Sequence, residues 1–201
     1  MQSKQSFRLL SVLPMVAIIL ANSSASAFES EKFPGRGKRE AFGKACEYNL
    51  KGISLADSGK TKEAIELYKK AIEVYPYYSV TFSNLGNAYS DLRRFDEAVE
   101  QYKKAVKISP DFAAAYSNMA DALMHQKKYL DAEIACKNAL RVDPGYVLAM
   151  TNLSEVYIAT NRPQEAKTVL LAASGLTTTT AVKKLIAEDL EKANKLLEKA
   201  K

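Results

Sequence analysis

Asn84, Asn118 and Asn152 recur at intervals of 34 residues, with Leu50 one interval earlier. An asparagine amide both donates and accepts, so each could bond an N–H and a C=O of a peptide backbone laid against it. The position before this ladder holds Asn49, Ser83, Ser117 and Thr151, and three residues past it stand Ile53, Asn87, Asp121 and Glu155. Small polar groups beside carboxylates at a fixed period suit recognition of a polar or basic chain through many weak contacts. They do not suit bond making. His125 is the only histidine, so no histidine pair holds a metal. No glycine-rich phosphate loop occurs, and no serine has a histidine–acid pair in its local sequence. The expected chemistry is binding, with no catalysis, cofactor or metal.

The elements that carry these residues repeat with them. Pro76, Pro110 and Pro144 stand 34 residues apart. Ala71, Ala105 and Ala139 share one register, and Ala64, Ala98 and Ala132 share another. Tyr68 and Tyr102 recur with Cys136 as a small substitute, Gly52 and Gly86 with Ala120, and Tyr48 and Phe82 with Tyr116. One unit has been copied along the chain, which predicts a stack of hairpins in place of a single closed core. In the second copy, apolar residues at helical spacing predict helices over Val80–Leu92 and Asp96–Ile108. The turns fall at Ser58-Gly59-Lys60, Arg93-Arg94, Lys127-Lys128 and Asn161-Arg162. Each proline ends the second helix of its unit, because the residue before it is pushed out of helical geometry. The copies run 45–78, 79–112, 113–146 and 147–180. The last is worn, with Met150, Ser154 and Thr178 at the aromatic, glycine and proline positions.

This pattern resembles the tetratricopeptide repeat family, whose aromatic, Leu-Gly, Tyr, Ala, Phe and Pro positions the second copy matches nearly throughout, with Phe82, Leu85-Gly86, Tyr89, Ala98, Tyr102, Ala105 and Pro110. The resemblance implies an all-α fold, a right-handed superhelical solenoid of about four helix-turn-helix repeats whose first helices line a concave groove. It also implies a non-enzymatic scaffold that binds an extended segment of another protein there. Carried onto this chain, the peptide-binding positions are Asn49, Asn84, Asn87, Asn118, Asp121, Asn152 and Glu155. One copy advances about 10 Å and an extended peptide rises about 3.3 Å per residue, so a ladder amide meets the ligand at about every third residue. A modest apolar stripe of Cys46, Val80, Ala114 and Leu148 would lie beside it. A second mode of the family clamps a C-terminal carboxylate with lysine and arginine. Here those positions hold Asn49, Ala114 and Asn118, an asparagine position of the same clamp holds Ile53, and only Asn84 fits.

The two ends stand apart from the repeats. Lys4 and Arg8 precede the apolar run Leu9–Leu20, and Ala25-Ser26-Ala27 follows, which is the layout of a secretory signal over residues 1–27 cleaved before Phe28. The run is shorter than the roughly 20 residues a spanning helix needs, so no stable membrane span is expected after cleavage. The expected setting is outside the cytoplasm, in a bacterial periplasm or the medium. Residues 28–44 read as a flexible lead-in. Residues 181–201 read as a capping helix, with a dimerisation helix, and hence a homodimer, as the alternative. A subunit that docks into a cell-envelope complex through its convex face or that last helix is the alternative functional reading. The formal net charge of +6 falls to +4 once Lys4 and Arg8 are removed, and both signs are interspersed, which argues against a nucleic-acid partner. Cys46 and Cys136 lie two copies apart, too far to bridge, so no disulfide is expected. Cys136 reads as a core residue and Cys46 as an exposed thiol.

Overall fold

The computed structural model of the chain describes residues 36–177 and 179–199. Residues from Lys44 onward form one compact unit. The described residues hold nine helices and no strand: α1 (Arg36–Asp57), α2 (Thr61–Val74), α3 (Ser79–Asp91), α4 (Phe95–Ile108), α5 (Ala113–His125), α6 (Tyr129–Val142), α7 (Val147–Ala159), α8 (Pro163–Leu176) and α9 (Thr180–Lys199). The helices predicted for the second copy agree with α3 and α4 to within one residue. The lead-in is different, because α1 already begins at Arg36. Once Lys44–Asp57 is helical, each residue added upstream gains a hydrogen bond for one pair of dihedrals fixed, and Lys38-Arg39-Glu40-Ala41 are good helix formers. The expected leader and the rest of the lead-in lie outside the described residues.

Each hairpin turns on a left-handed residue at one register. Gly59, Arg93, Lys127 and Asn161 have φ of 78°, 61°, 60° and 57°. The following N–H then reaches back five residues, as Lys128 does to the Leu123 carbonyl at 2.9 Å, and closes the helix end. Arg93 and Lys127 hold this conformation against the Cβ clash that favours glycine there, at a cost of about 1–2 kcal/mol each. At the far end of each second helix, Tyr75, Ser109 and Asp143 precede the prolines and are extended. Thr177 is extended in the same place without a proline, with φ −108° and ψ 137°.

The recurring small residues mark where helices meet. Ala64, Ala98, Ala132 and Ala166 are fully buried, as are Ala71, Ala105, Ala139 and Ala173. Gly52 lies against the ring of Tyr68, and Gly86 against that of Tyr102. First helices also touch one another in sequence, α3 against α5 and α5 against α7, and α9 extends the row by packing on α7 and α8. The second helices stand outside this row. Between repeats three and four, the buried Glu133 carboxylate accepts from Arg162 Nη1 and Lys137 Nζ, each at 2.7 Å. Those two bonds, Arg162 first, hold its pKa below the usual carboxylate range, so their stabilisation is present above about pH 4 and lost as acid protonates the group.

Candidate functional site

The row α3, α5, α7 presents the ladder residues, and their burial divides them. Asn49 and Asn84 are buried, with 2% and 8% of their surface exposed. The register of Asn49 is buried throughout, at Ser83, Ser117 and Thr151 as well. It therefore faces the joints between helices. Asn87, Asn118, Asp121, Asn152 and Glu155 are half-buried and keep part of their surface open.

The amides are joined to one another across the repeats. Asn84 Nδ2 donates to Asn49 Oδ1 at 3.0 Å. Asn118 Nδ2 donates to Asn87 Oδ1 at 2.9 Å, and the same oxygen accepts from the Tyr102 hydroxyl at 2.7 Å. Asn152 Nδ2 donates to the carbonyl and hydroxyl oxygens of Ser117 at 3.1 and 3.2 Å. Each ladder amide thus uses a donor to fasten its repeat to the preceding one. A net gain of about 1 kcal/mol per bond is a sizeable part of a repeat interface. An asparagine carries two N–H groups and a carbonyl with two lone pairs, so one such bond does not exhaust it.

The carboxylates gather toward the C-terminal end. Cys136 is fully buried, and burial, followed by the nearby Glu133, Glu155 and Asp121, pushes its thiol up to about 12. Asp121 and Glu155 are therefore both felt at one sulfur. Asp121 Oδ2 lies 4.0 Å from His125 Nε2, and the His125 ring stacks on Phe95 with centroids 4.5 Å apart. On α9, Lys192 Nζ bonds Asp189 Oδ1 at 2.6 Å. That bond raises the Lys192 pKa, with Glu155 and Glu188 adding to it. The sequence placed α9 as a cap but gave no sign that its own ion pair reaches the neighbourhood of Glu155. A 34-residue register does put Asp189 in line with Asp121 and Glu155.

Cys46 departs from expectation. It is half-buried, burial raises its pKa, and a hydrogen bond to Tyr78 counters this in part. With α1 starting at Arg36, Cys46 sits well inside a helix, so it is a poor candidate for a reactive thiol. Groups of three or more histidine, cysteine or carboxylate side chains placed to hold a metal do not occur among the described residues. Nor is any described helix long and apolar enough to cross a membrane.

Tetratricopeptide repeat models match residues 48–78, 67–100 and 123–188, and a TPR repeat model matches residues 86–127. No curated protein matches the chain. Among solved structures, the first TPR of Spaghetti (RPAP3), bound to the HSP90 peptide SRMEEVD, is 28% identical with a TM-score of 0.58, covering 59% of this chain and 94% of that one. A crystal structure of MamA is 22% identical with a TM-score of 0.60, covering 74% of this chain and 95% of that one. A second MamA structure is 24% identical with a TM-score of 0.62, covering 78% and 90%. The likeness to the MamA structures is one of fold.

Proposed function

This chain belongs to the tetratricopeptide repeat family, an all-α solenoid that serves as a protein–protein interaction scaffold, and from that premise we propose that it holds an extended basic segment of a partner protein without catalysing any reaction on it. The segment lies along α5 and α7. One observation carries this reading: Asn118, Asp121, Asn152 and Glu155 remain partly open, whereas Asn49 and Asn84 are closed into joints. The amides address the ligand backbone with the groups their inter-repeat bonds leave over. Asp121 and Glu155 select lysine or arginine side chains at neighbouring steps of about 10 Å. The HSP90 peptide of the Spaghetti structure contains two adjacent glutamates and a terminal aspartate. The ligand class proposed for this chain is of opposite charge, because the lysine and arginine positions of the family's carboxylate clamp are occupied here by Asn49, Ala114 and Asn118.

Asp121→Asn with Glu155→Gln keeps the side-chain shapes and removes both charges. Titration with an extended lysine- and arginine-rich peptide should show affinity at least about tenfold weaker in the double variant, with helix content unchanged. Equal affinity in the two proteins, or preference for a glutamate-rich peptide, rejects the proposal. The setting proposed is outside the cytoplasm, on the strength of the leader read over residues 1–27. N-terminal sequencing of the protein from its native cell should begin at Phe28, and a sequence beginning at Met1 overturns that part.

A further inference from the structure

We propose that Asp189 and Glu155 form a subsite for an arginine side chain of the bound segment, and that Lys192 of this chain fills it until the segment arrives. The inference rests on the groove reading above and adds α9 to that site. A 34-residue step from Glu155 reaches Asp189, and α9 packs on α7, which carries Glu155. Asp189 is fully buried, whereas Lys192 keeps 58% of its side chain exposed while its Nζ lies 2.6 Å from Asp189 Oδ1. The lysine stem therefore runs from the surface to the acid and covers it. Withdrawing that one flexible side chain into water opens a path to the carboxylate.

Lys192 fits the acid only in part. Its ammonium takes Oδ1, and the buried Oδ2 has no hydrogen-bond partner among the described residues. Glu133, the other buried carboxylate among those residues, shows the complete arrangement, with Oε1 on Lys137 and Oε2 on Arg162. The Arg162 guanidinium also spans two carboxylates, donating from Nη1 to Glu133 at 2.7 Å and from Nε to Glu165 at 2.8 Å. A guanidinium from the ligand would do the same between Asp189 and Glu155. Its planar fork offers parallel N–H donors to both oxygens of Asp189 and has others left for Glu155, whose charge already acts on Lys192. A ligand lysine would only repeat what Lys192 does. The subsite thus narrows the basic segment to arginine at its step nearest α9, and makes Lys192 an internal competitor for that step.

Two extended serine-rich peptides test it, each with a pair of cationic residues about three residues apart, arginine in one and lysine in the other. The native chain should bind the arginine peptide at least about fivefold more tightly than the lysine peptide, and Asp189→Ala should abolish that preference. Lys192→Ala removes the covering stem together with its charge, and should bind the arginine peptide at least about tenfold more tightly than the native chain does. Acetic anhydride gives a readout apart from affinity: Lys192 should be acetylated at least about fivefold faster in the native chain saturated with the arginine peptide than in the free chain. Should Lys192→Ala fail to fold, Asp189→Ala and the acetylation rate decide. An arginine peptide that depends on Asp121 and Glu155 but is indifferent to Asp189→Ala, or that leaves Lys192 acetylation unchanged, overturns the subsite and leaves the groove reading standing. A peptide bound by neither the native chain nor Lys192→Ala overturns both.

Discussion

Gly86→Ala should destabilise the chain by about 1–3 kcal/mol, although alanine is the better helix former by about 1 kcal/mol. A Cβ at position 86 would lie 2.6 Å from Tyr102 Cε1 and 2.8 Å from its Cδ1. The ring has little freedom to retreat. Tyr102 is fully buried, and its hydroxyl is held by Asn87 Oδ1 at 2.7 Å. The third repeat has already changed both partners together, with Ala120 for the glycine and Cys136 for the tyrosine, both fully buried. The sign of the mutation therefore depends on its partner. Tyr102→Cys alone should cost roughly 3 kcal/mol through the cavity and the lost bond to Asn87. In the Tyr102→Cys background, Gly86→Ala should become neutral or stabilising by up to about 1 kcal/mol. Urea unfolding of the four proteins gives the coupling directly. Additive costs would show that the ring yields, and that glycine is not required there by contact.

The same pair shows why so much of the fold was legible. Glycine facing tyrosine, twice, then alanine facing cysteine, is a volume rule written at a fixed register, and helical spacing alone places its members on facing helices. The turns were legible for a related reason. Gly59 and Asn161 favour the left-handed conformation that closes each hairpin, and the period carried the turn to Arg93 and Lys127, whose own preferences oppose it. The function of the ladder amides was harder to read. Register fixes where Asn84, Asn118 and Asn152 stand, but not which way their side chains turn. Three identical residues at one register found three different acceptors, Asn49, Asn87 and Ser117. The choice depends on what the preceding repeat offers, and that varies along the chain. Asn87 Oδ1 accepts from Asn118 and from the Tyr102 hydroxyl together. In the third repeat Cys136 is too short for that role, and Asn152 turns to Ser117. The sequence therefore yielded the row of positions, and side-chain packing decided which of them could still meet a ligand.

Lys192→Met should destabilise the chain by about 3 kcal/mol, whereas Asp189→Ala should change stability by less than about 1 kcal/mol. Asp189 is fully buried on α9, and its Oδ2 has no hydrogen-bond partner among the described residues. Lys192, itself 58% exposed, supplies the one strong contact to the other oxygen. Removing the lysine strands a charge where water cannot reach it, and Glu155 adds a second negative charge nearby. Removing the aspartate abolishes the buried charge, lets Lys192 extend into water, and places a better helix former in the helix. The double variant should therefore match Asp189→Ala alone. Hydrogen exchange over α9 locates the effect: Lys192→Met should release that helix first, since it ends the row and packs on α7 and α8. The released helix uncovers the surface that Val182, Ile186 and Ala193 cover. If α9 is a cap, the variant should aggregate as it opens. If it stays soluble with α9 unprotected, the last repeat tolerates an open face, and the helix serves some other end.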